Sequence, residues 1–188
     1  MRINLISGPR NISTALMYSF ANRGDTTVVD EPLYAYYLNH TGMEHPGREN
    51  ILRALPTDSE EVKNQFFYQD LKTDHLFIKG MAHHYQDLDW RFLNDFKNVF
   101  LIRDPKMLIT SFARVIHNPT IQDIGIKIEY EIIDELGRMG ENAIVIASGE
   151  LLNYPPYYLR RLCEDLGLVF KQSMLEWNPG SRKEDGVW

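Results

Sequence analysis

The 188-residue sequence contains a single cysteine, Cys163, which excludes an intrachain disulfide and any thiolate-rich metal cage. It has no apolar run near the ~20 residues that a membrane-spanning helix needs. Its N-terminus, Met1-Arg2-Ile3-Asn4-Leu5-Ile6-Ser7-Gly8-Pro9, is too short in apolar residues for a secretory signal. A reducing, cytoplasmic setting is therefore the expectation. Positive charge is scarce as well: 20 Lys and Arg face 26 Asp and Glu, a formal −6. A basic footprint for nucleic acid or an anionic membrane is absent. Repeats of fixed period and low-complexity stretches are also missing.

What is present is ordinary globular material, 44% hydrophobic and 24% charged. The length suits one domain spanning 1–188, large enough to bury a core without staples. Short apolar runs alternate with stretches of helical period. Strands are expected at Ile3–Ile6, Thr26–Asp30, His75–Lys79, Asn98–Ile102 and Ala143–Ala147. Helices are expected at about 13–23, 47–55, 59–70, 105–116, 120–139 and 156–167. Residues 33–45 read as aromatic and irregular, and 33–70 as an insertion. Asp58 and Glu61 have the spacing of a capping box. Along 120–139, Ile121, Ile124, Ile128, Ile132, Leu136 and Met139 form one buried stripe with a charged outer face. Seven of the acids fall in 123–150, against only Lys127 and Arg138. Cys163 lies on the apolar stripe of the last helix, a packing position. The alternation predicts an α/β fold, three layers deep, with a central parallel sheet of about five strands.

Ligands of such sheets bind beyond the carboxyl ends of the strands. After the first strand, Gly8-Pro9-Arg10-Asn11-Ile12-Ser13-Thr14 leads into a helix whose first N–H groups lack partners, a ready anion cradle. An ordinary turn with Ser13 and Thr14 as caps fits the same residues. A Walker A loop does not, since its second glycine and its lysine are replaced by Ser13 and Thr14. Glu31, after strand two, could take a proton or pair with Arg10. Lys79 ends strand three, followed by His83 and His84, which are adjacent and lack the spacing of a helical metal pair; no metal is expected. After strand four, Arg103 and Ser111 could converge on a second anion, and Arg103 could equally pair with Asp104 or Glu31.

Taken together, these residues resemble the sulfotransferases that use 3′-phosphoadenosine 5′-phosphosulfate. Pro9-Arg10-Asn11-Ile12-Ser13-Thr14 is similar to the family's phosphosulfate loop, Pro-Lys-Ser-Gly-Thr-Thr. Arg103-Asp104-Pro105 with Ser111 keeps its Arg-to-Ser spacing for the 3′-phosphate. Arg182-Lys183-Glu184-Asp185-Gly186-Val187-Trp188 is similar to its closing Arg-Lys-Gly-x-x-Gly-x-Trp segment, and 143–167 to its penultimate strand and helix. Departures are Arg10 for the loop lysine, Ala15 for a tryptophan, Ser148 near an expected tyrosine, and Met81 for a histidine. Asp30-Glu31-Pro32 resembles the Glu-Pro segment of carbohydrate-type and bacterial members. Members usually continue past the position of Trp188, so a truncated C-terminus is expected.

The resemblance implies a P-loop nucleoside triphosphate hydrolase-like fold and sulfuryl transfer to a hydroxyl or amine of a small-molecule or carbohydrate acceptor. It implies a donor site of Gly8 to Thr14, Arg103, Ser111, Arg182 and Lys183, with Arg10 and Lys79 stabilising the breaking S–O bond. Glu31 ranks first as base, His83 and His84 next. The segment 33–50 (Tyr34, Tyr36, Tyr37, His40, His45, Arg48) would line the acceptor or form a packed lid. The alternatives are an ATP-dependent small-molecule kinase on the same fold, with Asp30 or Asp104 on Mg²⁺, and a catalytically inactive nucleotide-binding module.

Overall fold

The structure is a computed structural model and describes residues 1–113 and 124–186. Five strands form one parallel sheet: β1 (Arg2–Ser7), β2 (Thr26–Asp30), β3 (His75–Met81), β4 (Lys97–Ile102) and β5 (Ile144–Ala147), in the order β2-β3-β1-β4-β5. The central strands are apolar at nearly every position because helices cover both faces. On one face Ile3, Leu5, Phe77, Val99 and Leu101 pack under α1 (Ser13–Ala21) and the last long helix (Pro155–Leu166). On the other, Ile6, Leu76, Ile78 and Phe100 meet Ile132 and Leu136 of a helix at Ile126–Arg138. Asn4 is buried in β1 and is satisfied there: it donates to Asn98 Oδ1 at 3.3 Å and accepts from the Tyr85 hydroxyl at 2.7 Å.

The remaining elements in chain order are α2 (Tyr34–Thr41), α3 (Arg48–Ala54), α4 (Ser59–Val62), α5 (Pro105–Phe112), α6 (Ile126–Arg138), α7 (Ser148–Asn153) and α8 (Pro155–Leu166). All five expected strands are present. The irregular segment expected at 33–45 is instead largely the helix α2, because Tyr34, Ala35, Tyr37 and Leu38 bury one face. The helix expected over 59–70 is a single α turn that widens into a π turn at Lys63–Phe67. Its cap is half of the expected box: the Asp58 carboxylate accepts from the Glu60 and Glu61 N–H groups. α7 had no sequence signal, being only six residues long. Cys163 is buried in the α1–α8 core, its sulfur 3.7 Å from that of Met174, as packing requires. α8 starts at Pro155-Pro156 and stops at left-handed Gly167 (φ 71°). Ile121 and the expected helical turn at 114–116 lie outside the described residues, as do Val187 and Trp188. Among the described residues, no helix is long and apolar enough to cross a membrane.

Candidate functional site

The chain leaves β1 at Ser7 and turns into α1 through two residues of left-handed backbone, Arg10 (φ 57°) and Ile12 (φ 51°). Each costs about 1 kcal/mol or more in a non-glycine residue and persists only where surrounding contacts fix it. Two contacts do so. The buried Asn11 amide donates to the Leu101 carbonyl of β4, and the Arg103 guanidinium donates to the Arg10 carbonyl. Ile12 occupies the cap position of α1, and no side chain caps that end. Ser13 and Thr14 therefore do not act as the caps of an ordinary turn. The first-turn N–H groups remain available at the positive end of the helix, with the Arg10 side chain exposed beside them.

Strand order explains the surroundings of Lys79. β2 pairs with β3 in a register that sets Asp30 opposite Lys79. Only 2% exposed, the Lys79 ammonium lies 2.9 Å from Asp30 Oδ1 and is also bonded to the Glu31 carboxylate. Glu31 itself has a left-handed backbone (φ 43°), fixed by its N–H bond to the Lys79 carbonyl at 2.7 Å. Burial pushes the Glu31 and Asp30 carboxyls up, and the Lys79 charge opposes it. Burial alone would lower Lys79, but the two carboxylates outweigh it and hold the ammonium charged. Glu31 thus pairs with Lys79, not with Arg10 or Arg103.

The turn after β3 (Ala82–Tyr85) sends its two histidines different ways. His84 is fully enclosed, stacked on Tyr34 with ring centroids 4.6 Å apart and tilted against Tyr37. Burial, helped by the His83 and Lys79 charges, pushes its pKa well below 6.5, so the ring is neutral. His83 is half-buried, edge-on to Tyr37 and close to Gly125. Tyr34 also meets His45, 2.7 Å from hydroxyl to Nδ1. The 33–50 aromatics thus form a packed cover over the Glu31 side of the site.

On the other side, Arg103, Lys106, Met107, Thr110 and Ser111 line an open cleft of about 350 Å³. Asp104 caps α5, its Oδ1 accepting from the Lys106 and Met107 N–H groups, and it makes no ion pair with Arg103 among the described residues. An apolar cleft of about 150 Å³ lies between α1 and α7–α8, walled by Ile12, Ala15, Leu151, Leu152, Pro155 and Trp177 among others. Arg182 and Lys183 are not brought to Arg103. Arg182 lies over the Tyr18 ring, bonded to Asn22 Oδ1 at 2.9 Å and Glu184 at 3.2 Å. Asp185 accepts from the Tyr18 hydroxyl, and the Gly186 N–H supports Asp30. Lys183 lines a cleft along β2 with Val28, Val29 and Asp30.

Three residues escaped the sequence reading. Lys106 joins the Arg103–Ser111 cleft by facing the same way on α5. Trp177 supplies an aromatic wall near Ala15, from a segment with no regular pattern. Glu129 is the largest departure, because an outer-face acid was expected and it is only 5% exposed. Its signal was positional: Glu129, Ile132 and Leu136 are spaced by three and four on the buried side of α6. The Gly8 N–H points to its carboxyl, and the chain entering α6 presses so closely on Gly8 that a Cβ there would lie 2.7 Å from the Ile124 oxygen. Among the described residues, no group of three or more His, Cys, Asp or Glu side chains forms a metal-binding cluster.

Comparison with known proteins adds three findings. A family model described as "Sulfotransferase domain" matches residues 1–188. The branched-chain-amino-acid aminotransferase-like protein 1 of Arabidopsis thaliana is 38% identical over 183 residues, covering 97% of this chain and 33% of that protein. The chain thus spans about a third of the length of that relative. Among solved structures, the sulfotransferase domain of the Synechococcus PCC 7002 olefin synthase aligns with a TM-score of 0.67 at 21% identity, covering 96% of this chain and 78% of that one. Shikimate kinase from Bacteroides thetaiotaomicron aligns at 0.52 and 18% identity, over 89% and 99%. At these identities the structures speak for the fold alone.

Proposed function

The chain belongs to the sulfotransferase domain family and is a transferase, and from that premise we propose that it moves a sulfuryl group from 3′-phosphoadenosine 5′-phosphosulfate to a hydroxyl or amine of a small-molecule or carbohydrate acceptor. The observation that carries this reading is the uncapped start of α1, behind a strained loop that Arg103 and Asn11 clamp. In the proposed reaction the acceptor oxygen or nitrogen attacks sulfur as the bond to the bridging oxygen breaks. The products are the sulfated acceptor and 3′,5′-bisphosphoadenosine. Charge growing on the bridging oxygen falls to the first-turn N–H groups and Arg10, donors fixed before the reaction begins. The acceptor proton passes to Glu31, whose pKa burial raises while the Lys79 charge opposes the rise; His84 and His83 are the next bases in reach of that side.

The cleft of Arg103, Lys106 and Ser111 takes the 3′-phosphate, and the apolar cleft at Ala15 and Trp177 takes the adenine. Arg182 and Lys183 join only when the 182–186 segment leaves Tyr18 and Asp30. The kinase alternative would call on Asp30 or Asp104 for Mg²⁺; Asp30 is paired with Lys79, and Asp104 Oδ1 caps α5. The name of the Arabidopsis relative concerns a protein three times as long and does not set the acceptor. Thermal-shift measurements with 3′,5′-bisphosphoadenosine and Mg-ADP test the proposal. A larger shift with the bisphosphate is expected, and a larger one with Mg-ADP sinks it. Bisphosphate binding with no sulfate transfer across a broad acceptor panel indicates the inactive module. Arg103→Ala should weaken the bisphosphate far more than AMP, and equal losses would make Arg103 purely structural.

A further inference from the structure

Buried polar atoms without partners gather around the loop after β1. Among the described residues, Ser7 Oγ, Asn11 Oδ1 and Glu129 Oε1 are all shielded from solvent and unbonded. Native interiors rarely leave such atoms unpaired without a functional reason or a missing partner. Of the three, Glu129 is the most costly, because an isolated ionised carboxylate is very unfavourable in an apolar site. One of its oxygens faces the Gly8 N–H at the mouth of the loop, leaving Oε1 with nothing to bond.

The elements packed against α6 and the residues leading into it are the loop, the 82–85 turn, the Trp90–Asp95 turn and α5. Their titratable and charged groups are Arg10, His83, His84, Tyr85, Arg91, Asp95 and Lys106. None of these contributes to its charge balance, which is set by burial and, in the opposite sense, by the Gly8 N–H. Burial raises its pKa to about 8, so the side chain is a neutral carboxylic acid at pH 7. A neutral acid has an O–H to give, and Glu129 Oε1 has no hydrogen-bond partner. The loop beside it is built to hold an oxyanion, which is an acceptor. An ionised carboxylate in the same place would repel that ligand.

We propose that Glu129 is protonated in the folded protein and donates its O–H to the oxyanion held by the 8–14 loop, so that anion binding is coupled to protonation of this one side chain. The proposal rests on the loop being an anion site and deepens the donor reading above. Each anion bound should favour the protonated acid, and each loss of that proton should weaken binding. A carboxylic acid kept neutral by an apolar site can serve as a hydrogen-bond donor in this way.

Calorimetric titration with 3′,5′-bisphosphoadenosine and, separately, with sodium sulfate tests it between pH 7 and pH 9.5. Sulfate carries the same charge throughout, and phosphate monoesters, whose second ionisation lies near 6, are close to fully ionised above pH 7.5. In the wild type, Kd should weaken about tenfold per pH unit above pH 8, with proton uptake shown by buffers of different ionisation enthalpy. Glu129→Gln keeps a donor, and should bind with near wild-type neutral-pH affinity, no slope and no proton uptake. Glu129→Met fills the space without a donor, and should bind roughly ten- to a hundredfold more weakly at neutral pH, again without slope. Equal slopes in wild type and Glu129→Gln overturn the proposal. Sulfate binding with the expected slope but no bisphosphate binding upholds Glu129 and sinks the donor reading. Failure of the wild type to bind either anion overturns both.

Discussion

Removing the charge from Glu129 should make the protein more stable at pH 8 and remove a pH dependence that few buried acids produce. The folded carboxyl ionises at about 8 and the unfolded one near its ordinary 4.5, because burial raises the former. Between these values the unfolded chain has released a proton that the native state retains. Stability from this group is therefore complete below pH 4.5 and is lost as pH rises to 8, at about 1.36 kcal/mol per pH unit. The whole interval is worth roughly 4–5 kcal/mol, an upper figure for a side chain this deep. The clearest window is pH 6.5 to 8, on the alkaline side of the midpoint of unfolded histidines near 6.5. There the wild type should lose about 2 kcal/mol, while Glu129→Gln stays nearly flat. The assay is urea unfolding at half-unit pH steps, with the difference between the two proteins taken at each step. That difference cancels common contributions, such as the N-terminal amine. A constant offset from pH 6.5 to 8 would refute the reasoning, since it would mean that Glu129 is ionised or solvated in the native state.

Three further outcomes follow from the same contacts. Lys79→Met strands Asp30 and Glu31 as buried carboxylates and should cost about 3–5 kcal/mol at pH 7, narrowing as pH falls and the two groups protonate; a cost under about 1 kcal/mol in guanidinium unfolding would show that the trio is solvated. His84 is held neutral by burial, so the unfolded ring takes up a proton below pH 6.5 that the folded one refuses, and stability from this group falls as pH drops. His84→Phe should remove that acid-side loss, and denaturation curves at pH 5 and 7 that shift in parallel for both proteins would contradict it. Gly8→Ala drives a Cβ to 2.7 Å from the Ile124 carbonyl oxygen and should destabilise by about 1–3 kcal/mol, a fall in Tm of about 5 °C; an unchanged Tm would mean that α6 yields freely.

The sheet was legible because each strand carries a short run of apolar residues, buried on both faces in the three central strands. The 33–45 segment was not, because tyrosines in α2 satisfy neither the apolar nor the polar half of a helical pattern. They bury through ring stacking on His84, a contact made across 50 residues of chain. Lys79 was expected as the last residue of its strand, which instead runs on to Met81 because Gly80 and Met81 still pair with β1, and its partners depend on β2 lying beside β3, which element order alone does not disclose. Glu129 was misplaced because its charge outweighed its spacing; positions 129, 132 and 136 had the period of a buried face. Arg182 matched by motif order, yet its position is set by Tyr18 and Asn22, 164 and 160 residues away.

These placements change how the chain, at net charge −6, would hold a polyanion. Lys79 is neutralised by two acids, Arg103 is tied to the loop carbonyl, and Arg182 is engaged with Glu184 and Asn22. Among the described residues, Arg10 and Lys106 are the cations of the site with no recorded bond. Much of the attraction must then come from neutral donors: the open N–H groups of α1, Ser111, and the acid at 129. Neutral donors lose less to dissolved salt than charged ones, because screening acts on net charge at a distance. Affinity for the bisphosphate should therefore depend on salt chiefly through Arg10, Arg103 and Lys106, and on pH chiefly through Glu129. Arg10→Gln should make the salt dependence shallower and leave the alkaline slope, whereas Glu129→Gln should remove the alkaline slope and leave the salt dependence. Loss of both dependences in either single variant would show that the loop responds as one electrostatic unit and that charged and neutral donors are not separable.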